Sequence, residues 1–82
     1  MLNIITKKLT LRAIEWKGTN AKEVEDFLED GCFIENGELY IINGPFWYSS
    51  KVELGEFVVK DEYDQLTCWQ QDTFWQWFEE AD

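Results

Sequence analysis

Carboxylates are the reactive groups this sequence offers in quantity. They come in two clusters, Glu25-Asp26 with Glu29-Asp30 and Asp61-Glu62 with Asp64. Two carboxylates flanking a cleft can cleave glycosides, and a cluster of them can hold metal ions for hydrolysis. Both uses need the groups to converge in a pocket, whereas the first cluster falls on the outside of an expected helix and the second in an expected turn. Asp61-x-x-Asp64 could grip a divalent cation loosely, but it lacks the alternating ligands and closing glutamate of a calcium loop. The chain has no histidine, and with it goes the commonest general base. Gly18, Gly31, Gly37, Gly44 and Gly55 stand singly, with no GxGxxG or phosphate loop. Cys32 and Cys68 are far apart and outside any CxxC spacing, so neither a thiol-rich zinc site nor a disulfide framework is expected. Both lie in apolar runs, where a buried free thiol is the expectation. These residues read as a protein that is not an enzyme and that needs no cofactor or metal.

Charge points instead to binding. Seventeen acidic residues against seven basic ones give a net charge of −10 over 82 residues. Residues 1–22 hold five basic residues against Glu15 alone, and residues 23–82 hold Lys51 and Lys60 against sixteen acids. Such a chain repels nucleic acid and anionic membranes and is drawn to basic protein surfaces. The bland alternative is that the charge only keeps the protein soluble. Met1 to Leu9 shows lysines after a short apolar run, unlike a signal peptide or a membrane span, so the expected location is the cytoplasm. A single domain of this size buries about 60% of its unfolded surface. Fourteen aromatics, five of them tryptophans, are more than so small a core hides easily.

The elements that must position these groups follow from periodicity. Leu9–Trp16 alternates as a strand with apolar residues on both faces. Asn20 and Glu23 form a candidate capping box, opening an amphipathic helix over about 20–30. Its apolar stripe is Ala21, Val24, Phe27 and Leu28, and Gly31 is its stop. Glu29 and Asp30 then fall at the helix C-terminus, where the macrodipole disfavours them and nothing local compensates. Asn36-Gly37 between 32–35 and 38–42 is a hairpin signal. The run 46–48 reads as a strand or an ordered loop. Leu54–Lys60 is a strand with Phe57 and Val59 on one face and Val58 on the other, followed by an acidic turn and a hairpin partner, Leu66–Trp69. Asp72 is placed to cap a short C-terminal helix over about 72–80, with Phe74, Trp77, Phe78 and Ala81 inward and Trp75 off the stripe. The expected fold is α+β: about four to five mainly antiparallel strands with hairpins, packed with these two helices.

Three short patterns follow one another in the chain: Ala13, Trp16 and Gly18, then Gly55-Glu56-Phe57-Val58-Val59, then Phe74, Phe78 and Glu79. In this order the chain resembles a group of small, mostly uncharacterised phage and prophage proteins. Their pattern is an A-x-x-W-x-G strand end, a G-[DE]-[YFW]-[IV]-[IV] strand and a closing F-x-x-x-[YF]-E helix. The resemblance spans roughly 9–80. It departs at Asp61–Leu66, which has no glycine at the hairpin return, and at 43–53, which has no counterpart. It implies a viral origin, a small α+β fold and no known catalytic residues.

Acids three or four residues apart on a helix stand about 5–6 Å apart, of the same order as the one charge per ~3.4 Å along a DNA strand. The expected activity is that of a phage-encoded acidic protein that mimics nucleic-acid charge. It would bind the basic cleft of a host nucleic-acid-acting or defence protein, such as a CRISPR or restriction component, and inhibit it. The partner contacts would be Glu25, Asp26, Glu29, Asp30, Asp61, Glu62 and Asp64, with Trp47 and Trp75 as aromatic anchors. The alternative is a non-catalytic structural or regulatory phage protein that binds a virion or host protein, or itself as a homodimer, through aromatic surface.

Overall fold

A strand that is apolar on both faces needs a cover on each side, and that need sets the architecture. The computed structural model describes residues 1–5, 10–43 and 48–80. Its elements are β1 (Leu2–Ile5), β2 (Thr10–Glu15), α1 (Ala21–Leu28), a 3-10 turn (Glu29–Gly31), β3 (Cys32–Glu35), β4 (Glu38–Asn43), β5 (Tyr48–Val52), β6 (Phe57–Lys60), β7 (Leu66–Trp69), α2 (Gln71–Trp77) and β8 (Glu79–Glu80). They form an antiparallel five-stranded sheet, ordered β7-β6-β2-β1-β8, and an antiparallel three-stranded sheet, β3-β4-β5.

All four residues of β6 are buried. Val58 joins Ile14 of β2 and Trp16 just after it under a cover of Val24 and Leu28 from α1 and Leu39, Ile41 and Val52 from the small sheet. Phe57 and Val59 join Ile4 and Ala13 on the other face, under Phe74 and Phe78 from the C-terminal segment. Each such side chain contributes roughly 1.5–3 kcal/mol of transfer free energy, so β6 is the strand that both halves of the core share. The Trp16 N–H donates to the Glu56 carbonyl (2.9 Å) and the Gly55 N–H to the Trp16 carbonyl (2.8 Å), extending the β2–β6 pairing past both strand ends.

The α+β class, both helices and the 32–42 and 57–69 hairpins agree with the sequence, but the strand count does not. Eight strands replace the expected four to five among the described residues. Leu2–Ile5, Tyr48–Val52 and Glu79–Glu80 are added, because short or polar segments become strands when a neighbouring edge supplies the hydrogen bonds. The organising strand is also shorter, since Leu54 and Gly55 form a turn before Phe57. Asn36 and Gly37 both have positive φ, 53° and 77°, as a two-residue type I′ hairpin requires.

Helix ends differ more. α1 stops at Leu28, and the left-handed residue after it is Glu29 (φ 55°) rather than Gly31. Gly31 sits close under Leu66, whose Cδ1 would lie 2.8 Å from a Cβ there and would have to shift for a larger residue. The capping box does not form. Asn20 Oδ1 instead accepts from the Lys17 N–H (2.9 Å), and its amide donates to the Glu15 carbonyl (2.8 Å) and to Glu23 (3.2 Å). α2 has Gln70, not Asp72, at its N-cap, and ends at Trp77 with Phe78 already extended. With only seven residues the helix buries Phe74 and leaves Trp77 67% exposed, against the expectation that Trp77 lies in the stripe. Glu79 and Glu80 lie in a strand paired to Ile5 and Ile4, not in a helical last turn.

Candidate functional site

The two acidic clusters meet at the C-terminal end of α1. Glu29 and Asp30 from the 3-10 turn and Asp64 from the β6–β7 turn rim a depression of about 210 Å³ whose floor includes Lys60, Leu66 and Ile42. Glu29, Asp30 and Asp64 are exposed, as are Glu25 and Asp26 on the outer face of α1 and Glu62 in the turn. Asp26 pairs with Lys22 at 3.3 Å across one helical turn. Asp61 has a structural duty: one carboxylate oxygen accepts from the backbone N–H groups of Tyr63 (2.8 Å) and Gln65 (2.9 Å), fixing the turn that presents Asp64.

Against Asp64 of this rim lie two cations that sequence reasoning did not single out. Arg12 of β2 and Lys60 of β6 stand directly opposite in register, a like-charge pairing that disfavours the sheet when left alone. Asp64 relieves it, with its Oδ1 3.6 Å from Arg12 and 3.9 Å from Lys60. Lys60 is only 8% exposed, and its ammonium donates to the Phe27 carbonyl in the last turn of α1 (3.1 Å). The Phe27 ring accepts both cations on its face, at 5.3 Å from Lys60 and 5.7 Å from Arg12. A lysine 33 residues away thus supplies the positive charge that the helix end lacks in its own sequence. No local pattern would have revealed it, because the partner comes from another strand.

The aromatic anchors do not join this rim. Trp75 belongs to α2, which covers the sheet face opposite α1, and its ring meets Phe57 and Phe74 edge-on at 5.5 Å and 4.8 Å while remaining 45% exposed. Trp47 lies outside the described residues. Trp77 is the more open tryptophan, and with Trp75, Glu79 and Glu80 it lines a separate open crevice of about 460 Å³ where α2 turns into β8.

The thiols offer no chemistry to either place. Cys68 lies at the surface, contrary to the expectation of burial, and donates to Glu56 Oε1 (3.3 Å). Desolvation of the sulfur, then that neighbouring carboxylate, push the thiol up to about 12. Burial, then Glu25, raise Cys32 as well, so both remain protonated at neutral pH. Among the described residues no three His, Cys, Asp or Glu side chains stand where they could hold a metal ion, and no helix is long and apolar enough to cross a membrane. No protein-family model matches the chain, and no curated protein or solved structure is significantly similar to it.

Proposed function

We propose that this protein acts by binding, presenting the α1 face and the β6–β7 turn to a basic, nucleic-acid-binding surface of a target protein. The observation that carries this reading is the convergence of Glu29, Asp30 and Asp64 on one rim, continuous in sequence with the exposed Glu25 and Asp26 of α1. Carboxylates spaced along a helix exterior and a turn steer a basic cleft toward the surface and compete with phosphates for it. Together with the phage-like motif order, this favours a phage-encoded inhibitor of a host nucleic-acid-acting or defence protein, a CRISPR or restriction component being of the right chemistry. The role is non-catalytic and cytoplasmic.

Capture from a bacterial lysate at low and high salt tests it. The expected result is a captured protein that is released by rising salt and by added duplex DNA, and that is lost with a Glu25→Gln/Asp26→Asn/Glu29→Gln/Asp30→Asn variant. Capture that ignores salt and survives this variant would sink the proposal. A second reading, self-association through aromatic surface, is favoured by the exposure of Trp77 (67%) and Tyr63 (76%). Light scattering decides it, since a dimer that persists on dilution supports it and a monomer does not.

A further inference from the structure

The end of α1 shows how this chain accommodates a cation: the last-turn Phe27 carbonyl, the Phe27 ring and the Asp64 carboxylate surround the Lys60 ammonium. The end of α2 gathers the same parts. Its crevice is lined by Trp75, Gln76, Trp77, Phe78, Glu79 and Glu80. The last turn of α2 has no basic residue, so its carbonyls present the negative end of the helix dipole without local compensation. Glu79 and Glu80 are exposed, and among the described residues neither forms an ion pair. β8 is also the outermost strand of the five-stranded sheet, so one of its edges faces no other strand among the described residues.

Charge complementarity selects the occupant. Tryptophan is the strongest cation–π partner among side chains, and arginine both stacks on such rings and forks onto carboxylates. We propose that the α2–β8 crevice docks an extended, arginine-bearing segment of a partner protein. One guanidinium lies against Trp77 within reach of Glu80, which stands opposite Ile4 and so shares the α2 face of the sheet, and the segment's backbone adds to the free edge of β8. This surface is independent of the acidic rim at α1, from which the five-stranded sheet separates it.

The test is a titration of the full chain with a hexa-arginine peptide near physiological salt, read by the indole N–H and backbone amide signals in nuclear magnetic resonance. The Trp75 and Trp77 indoles and the Glu79 and Glu80 amides should shift. Trp77→Ala should weaken the peptide roughly twofold to fivefold, and Glu79→Gln/Glu80→Gln should weaken it again. A hexa-lysine peptide should bind less well, because it cannot stack. The Glu25→Gln/Asp26→Asn/Glu29→Gln/Asp30→Asn variant should keep the Trp75 and Trp77 shifts, so the two surfaces can fail separately. Shifts confined to the α1 face, or unchanged affinity in the Trp77→Ala and Glu79→Gln/Glu80→Gln variants, would overturn the inference. So would self-association that Trp77→Ala abolishes, because a second copy would then be the occupant.

Discussion

The two helices of this protein end in opposite ways. α1 ends on a left-handed glutamate, turns through a 3-10 segment and has its last-turn Phe27 carbonyl bonded by a lysine from the middle of the sheet. α2 runs directly into an extended residue and an edge strand, with tryptophans and glutamates around an open crevice. Neither helix carries a basic residue in its last turn, so local sequence does not separate them. The difference is what the rest of the fold brings to each end. A helix end satisfied from within is part of the structure, and one left open to solvent is available to a partner.

Four substitutions test this contrast. Phe74 anchors α2 regardless of how the helix ends: it is fully buried and its ring stacks on Phe57 at 3.9 Å. Phe74→Ala should therefore cost about 3–5 kcal/mol in urea unfolding. A loss below about 1 kcal/mol would mean that α2 is not held to the sheet. Lys60→Met keeps the packed stem but removes the donor to Phe27 and the partner of Asp64, and should cost about 1.5–3 kcal/mol. If it is neutral, the lysine is not what satisfies α1.

Glu29→Gly should act in the other direction. Removing a side chain from φ 55° relieves left-handed strain, against the greater chain entropy of glycine. A gain of about 1 kcal/mol would raise the melting temperature by about 4–8 °C. The same change removes one carboxylate from the rim and should weaken salt-dependent capture, so stability and binding move oppositely. Trp77→Ala should change stability by no more than about 0.5 kcal/mol, while still weakening an arginine peptide. A large destabilisation there would show that the α2 end is as structural as the α1 end.

Much of the scaffold was legible because local rules and tertiary packing agreed. Val24 and Leu28 recur at helical spacing and are buried. Asn36-Gly37 supplies the two positive φ angles of its hairpin, and Phe57, Val58 and Val59 announce cover on both faces of β6. The illegible parts were those with no local pattern to read. Tyr48–Val52, with two serines and a lysine, is a strand because β4 offers it an edge. Glu79–Glu80 is one because β1 does. The acidic residues of the candidate site were all visible in the sequence, but their grouping was not: Asp64 joins Glu29 and Asp30, while Trp75 goes to the other side of the sheet.

What the sequence determined by itself was which residues are apolar at which period, where the chain must turn, and that acids outnumber bases. Those are properties of neighbours along the chain, fixed by side-chain chemistry and backbone sterics. Only the tertiary structure decided that Lys60, rather than a neighbour in α1, compensates the end of that helix, and that no described side chain does the same for α2. Electrostatic compensation acts through space, across several ångströms, and the residues that supply it can be dozens of positions apart.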